Sequence, residues 1–128
     1  MTKVIILGHG GYGSAMRRNL SMLIGELEDY SYVDFNEQDD LSVLRGKIVD
    51  ALSGAEGCDV LFCCDVAGGS PFREAATVCA ERPNCCCVAG VNTSAYTEIS
   101  FNLELTASEL ADMAIEVTKT TMIRFPEA

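Results

Sequence analysis

Val4-Ile5-Ile6-Leu7-Gly8-His9-Gly10-Gly11-Tyr12-Gly13-Ser14 is an apolar run that breaks into glycines and resumes with helical spacing. Four aliphatic residues in a row, with no polar alternation, suit a strand covered on both faces. Met16, Leu20, Leu23, Ile24 and Leu27 then fall on one helical face. The stretch is therefore a strand–loop–helix junction, and the loop carries His9, the only histidine in the chain. An imidazole can act as acid, base, metal ligand or nucleophile. Glycines beside it let an anion approach the backbone closely.

The same pattern repeats outward from this junction. Tyr32–Phe35, Val60–Cys64 and Cys85–Ala89 read as further buried strands. Leu41, Leu44, Ile48, Val49 and Leu52 mark the apolar face of a second helix. Ser70-Pro71 reads as an N-cap followed by proline at the first helical position, with the helix stopping near Arg82, before Pro83. A fourth helical stretch covers about Ser94–Asn102. Thr106-x-x-Glu109 is a capping-box pattern opening a fifth, which carries Leu110, Met113 and Val117. The order βαβαβαβα plus one more helix predicts an open α/β sheet, mostly parallel, in one domain over residues 1–128. The apolar tail Met122–Phe125 reads as a last strand that pairs outside its own subunit.

The formal net charge of −10 disfavours nucleic acid and anionic membranes, both of which reward Lys/Arg clusters. It suits a basic protein partner. Hydrophobic content of 48% and a mean hydropathy of +0.18 exclude a disordered chain. The N-terminal apolar run is too short to span a membrane and lacks a secretory cleavage signature, so the chain reads as soluble and cytoplasmic. Seven cysteines invite a metal or disulfide reading. Cys63-Cys64 and Cys85-Cys86-Cys87 lie in strands, however, where neighbours point to opposite faces, and no C-x-x-C spacing occurs. They read as reduced core thiols, with no metal and no cofactor implied.

Ligands of such sheets bind at the carboxyl ends of the strands. Three loops lie there: the His9 loop, Asp65-Val66-Ala67-Gly68-Gly69-Ser70-Pro71-Phe72, and Gly90-Val91-Asn92-Thr93-Ser94. Two readings of the first loop remain open. Gly8-x-Gly10-x-x-Gly13, with Asp34 at the end of the second strand, imitates a dinucleotide fingerprint. Alternatively the glycines serve a phosphate carried on His9, and Asp34 merely ends its strand. The second loop favours the latter. Asp65 can fix one imidazole nitrogen and leave the other nucleophilic. Gly68, Gly69 and the Ser70 helix start offer N–H groups and a positive dipole end to an anion. Tyr12 shapes the pocket mouth or packs at the helix start.

Gly-His-Gly-Gly-Tyr-Gly at 8–13, Asp65-x-x-Gly-Gly-Ser-Pro-Phe and Ala89-Gly90-Val91-Asn92 together resemble the IIA component of mannose-family sugar phosphotransferase systems (mannose, fructose and N-acetylgalactosamine types) over almost the whole chain. Gly-His-Gly-Gly-Tyr-Gly and Ser-Pro-Phe-Arg look closest to the amino-sugar members. The resemblance implies a doubly wound sheet of order 2-1-3-4 and a homodimer formed by exchange of a C-terminal strand, here Thr121–Phe125. It implies that His9 takes a phosphoryl group from the carrier protein HPr and passes it to a IIB subunit, which serves a IIC/IID membrane permease. Asp65 matches the acid that orients the histidine. Gly68, Gly69 and Ser70 match the loop that receives the phosphoryl group, Gly10 of the His9 loop is a further phosphate-binding candidate, and Asn92 lies in a matching loop. Departures are Ala67, where an aromatic often precedes Gly-Gly, and Cys63 and Cys64 in place of aliphatics. With no IIB segment following, the IIB partner is expected on a separate chain. Beside the phosphocarrier stand a dinucleotide-binding module or small oxidoreductase, which needs Asp34 rather than His9, and a non-catalytic regulatory domain of the same fold.

Overall fold

A computed structural model describes residues 1–128. The elements follow in the order β1 (Thr2–His9), α1 (Tyr12–Ile24), β2 (Tyr30–Phe35), α2 (Leu41–Ser53), β3 (Asp59–Cys64), α3 (Ser70–Glu81), β4 (Cys85–Ala89), α4 (Thr93–Ser100) and α5 (Ala107–Thr121). The four strands are parallel and lie in the order β2-β1-β3-β4. The chain winds outward in one direction from β1 to β2 and in the other from β3 to β4. The order therefore switches between β1 and β3, and their carboxyl ends carry His9 and Asp65.

The unbroken apolar character of the strands is explained by burial on both faces. Val4, Ile6, Leu61 and Cys63 face a cluster completed by Leu20 of α1, Tyr96 and Ile99 of α4, and Leu110 of α5. Ile5, Leu7, Phe62 and Cys64 face a second cluster with Leu44 and Ile48 of α2 and Ala75 of α3. Adjacent Cys63 and Cys64 thus point to opposite sides, as strand geometry requires. Caps set the helix starts. Asp40 accepts from the Val43 N–H at 2.9 Å to begin α2, and Thr106 and Glu109 form the expected capping box on α5.

Several expectations are corrected. Helix α1 ends at Ile24, one residue before Gly25, so Leu27 packs from outside the helix. Leu23 and Val49 are exposed, because the buried stripe of each helix is narrower than its apolar pattern. Gly69, not Ser70, holds the N-cap position of α3, and no side chain caps it. Apart from these corrections, residues 122–128 have no strand partner inside the single chain and Met122, Ile123 and Phe125 are exposed, so the expected pairing outside the subunit is a matter for a second copy.

Candidate functional site

Parallel register brings the ends of β1 and β3 side by side, with Leu7 opposite Cys64. One residue further on, Asp65 reaches back to His9. Its Oδ2 accepts the His9 backbone N–H at 3.0 Å and the imidazole Nδ1–H at 2.8 Å. Its Oδ1 accepts the Val66 N–H at 2.9 Å. Partial burial raises the Asp65 carboxyl, but the backbone N–H of His9, its imidazole and the Val66 N–H outweigh that and hold it below the ordinary carboxylate range. An ionised carboxylate only accepts hydrogen bonds, so the proton of the neutral ring sits on Nδ1 and Nε2 keeps its lone pair. The Asp65 side chain is 16% exposed and that of His9 47%, which shields the acid and leaves the imidazole reachable.

Gly69 lies directly against that free nitrogen. Its φ of 101° belongs to glycine, and a Cβ there would stand 2.9 Å from both Cε1 and Nε2 of His9. The first turn of α3 follows, with N–H groups that have no partner within the helix. The imidazole Nε2 thus faces a glycine at a helix N-terminus. Gly10 acts differently. It turns the chain at φ 58° and donates its N–H to the Phe35 carbonyl at 2.8 Å, so that N–H is engaged within the fold.

Two supporting residues, Phe35 and Gly8, were not legible beforehand in the roles they hold at the site. Phe35 meets the His9 ring edge-on, with centroids 6.0 Å apart at 61°. The β1–β2 register sets His9 opposite Phe35, and only that register would have found it. Gly8 is pinched: a Cβ would stand 2.7 Å from both the Asp65 Cγ and the Tyr12 ring. The Tyr12 hydroxyl in turn meets that of buried Tyr96 at 2.6 Å, tying α1 to α4 below the loop.

Asn92 belongs to a different set. It caps α4, accepting from the Ala95 N–H at 3.0 Å, and its amide donates to the Thr121 hydroxyl at 2.8 Å. Asp34 is engaged as well. It accepts the Ser14 N–H at 2.9 Å and the Ser14 hydroxyl, which pins the start of α1 to the end of β2. Arrangements of three or more His, Cys, Asp or Glu side chains able to hold a metal do not occur. No helix is long and apolar enough to cross a membrane.

Fold and site together define a small α/β protein built around one oriented, solvent-reachable histidine. Residues 3–120 match the EIIA-man family model, described as the PTS system fructose IIA component, and the chain belongs to that family. It is 34% identical over 100 residues to the fructose-specific EIIA component of Bacillus subtilis, covering 77% of this chain and 68% of that one. It is 29% identical over 120 residues to the mannose-specific EIIAB component of Escherichia coli, covering 91% of this chain but 37% of that longer protein. Among solved structures, the mannose/sorbose-specific IIA subunit from Enterococcus faecalis superposes with a TM-score of 0.87 at 27% identity, covering 99% of this chain and 98% of that one. The EIIA component from Streptococcus agalactiae reaches 0.90 at 20% identity with complete coverage of both chains, a likeness of fold. The dinucleotide reading gains no support: its acid, Asp34, is taken up by Ser14.

Proposed function

We propose that this phosphotransferase-system component is a phosphocarrier that accepts a phosphoryl group on His9 Nε2 from phospho-HPr and passes it to a IIB partner. The observation that carries the reading is the pairing of Nδ1 with Asp65 while Nε2 faces Gly69 at the start of α3. In the forward step the Nε2 lone pair forms a bond to phosphorus as the donor's P–N bond breaks, and the donor imidazole leaves with that electron pair. The His9 ring gains positive charge as the bond forms, and the Asp65 carboxylate compensates it across the Nδ1–H bond. The phosphoryl oxygens meet the N–H groups of the Gly68-Gly69-Ser70 turn and the positive end of α3. Gly10 shapes the loop rather than donating. The product keeps a P–N bond of high transfer potential, which suits a relay rather than hydrolysis.

Sugar is not a reactant in this relay. The relatives are named for fructose, sorbose and mannose, and the chemistry described is common to any of them. The strongly acidic chain favours a basic docking face on HPr, an approach that salt would slow. Exchange of the exposed tail Met122–Phe125 onto the free outer edge of a second copy's β4 would give the homodimer.

The test is incubation of the purified chain with phosphoenolpyruvate, enzyme I and HPr, followed by intact mass, with His9→Ala in parallel. A gain of one acid-labile phosphoryl group, absent in the variant, is expected. No gain on folded protein with several HPr sources would overturn the reading.

A further inference from the structure

The cysteines are unused by the site, yet they are not scattered. Cys85 and Cys87 of β4 project to the side of the sheet covered by α2 and α3, where they join the second core cluster, while Cys86 packs on the other side. On the first side two sulfur pairs meet. Cys79, on the last turn of α3, lies with its Sγ 3.0 Å from that of Cys85 at the start of β4. Cys64 lies 3.7 Å from Cys87. All are free thiols.

We propose that Cys79 and Cys85 are a redox-active dithiol that closes reversibly to a disulfide by exchange with a small-molecule disulfide such as oxidised glutathione. Distance is the first argument. The two sulfurs need to approach by only about 1 Å to reach bonding separation. Access is the second. Both thiols are half-buried rather than enclosed, whereas in the other pair only Cys87 is half-buried and Cys64 is fully buried. Activation is the third. The contact with Cys85 favours the thiolate form of Cys79, so Cys79 is written as the first to react.

The chemistry balances in two exchanges. The Cys79 thiolate attacks one sulfur of the glutathione disulfide, forms a mixed disulfide and releases one glutathione thiolate. Cys85, as thiolate, then attacks the Cys79 sulfur and releases the second. Two protons pass to solvent and two electrons to glutathione, which is reduced as the protein dithiol is oxidised. The bridge ties the C-terminal turn of α3 to β4 across Arg82-Pro83-Asn84. In a reducing compartment such a pair senses oxidation instead of serving as a permanent staple.

The test equilibrates the full-length reduced chain in glutathione buffers of rising oxidised fraction, then blocks remaining thiols and maps the bridge. Cleavage after Glu81 separates Cys79 from Cys85, so a bridge holds two peptides together. The expected result is a linked pair of peptides and a loss of two alkylatable thiols, both reversed by dithiothreitol. Cys79→Ser and Cys85→Ser should abolish the link, and Cys86→Ser, on the other face, should retain it. Cys79→Ala serves where the serine variant does not fold. A chain that keeps all its thiols alkylatable in fully oxidised glutathione would overturn the proposal. So would a bridge that survives Cys85→Ser.

Discussion

Replacing Gly69 by alanine tests the site at its tightest point. The backbone there has φ 101° and ψ 178°, a region essentially restricted to glycine, and holding an L-residue in it costs about 1–3 kcal/mol. The new methyl would also stand 2.9 Å from Cε1 and Nε2 of His9. Either the imidazole swings off Asp65 or the loop retreats from Nε2, and both outcomes spoil the acceptor. With about 2.1 cal/mol/K of unfolding entropy per residue over 128 residues, a loss of about 2 kcal/mol lowers Tm by about 7 °C. A displacement of about 1 Å at the reacting nitrogen lowers the phosphorylation rate by about 100-fold. The assay is single-turnover phosphoryl transfer from phospho-HPr read by intact mass, with thermal unfolding alongside. Gly68→Ala is the stability control, since a Cβ there meets nothing within 4 Å, and its Tm should stay near wild type. A Gly69→Ala protein with wild-type Tm and wild-type phosphorylation rate would refute the reasoning.

Asp65→Asn keeps the shape but turns one acceptor oxygen into a donor, against N–H groups on both sides; phosphorylation should fall by about 10²–10⁴-fold, measured by the same transfer assay. Asp34→Ala should cost about 1 kcal/mol by freeing the start of α1 and lower Tm by a few degrees, while phosphoryl acceptance stays within a few-fold; a loss as deep as that of Asp65→Asn would return Asp34 to the reaction. The Asp65 carboxyl titrates below its unfolded value of about 3.9, so its contribution is full above that pH and is lost as pH falls through the folded value. The stability gap between wild type and Asp65→Asn, from urea unfolding at pH 7 and pH 3, should therefore shrink in acid, and a constant gap would count against the charged contact.

The fold was legible where residue chemistry is local. The aliphatic run before Gly8, the capping pair Thr106 and Glu109, and the break before Pro83 each act within a few residues, and each stands where the sequence placed it. His9, Asp65 and Gly69 were legible because each ends a strand or begins a helix on the same rim. What was hidden depends on register and on space. Phe35 joins the site because β2 aligns it with His9, and Gly8 matters because Asp65 and Tyr12 converge on it. Asp34 had the same sequence signature under two readings, and only its bonds to Ser14 separate them. Leu23 and Val49 fit the helical stripes, yet the sheet leaves no surface for them to cover.

The most direct measurement is phosphorus–nitrogen correlation NMR on the chain with ¹⁵N-labelled histidine, phosphorylated by phosphoenolpyruvate, enzyme I and HPr. The account predicts a single phosphoryl group bonded to His9 Nε2, with Nδ1 still protonated toward Asp65. Phosphorus bonded to Nδ1, or to a residue other than His9, would contradict it.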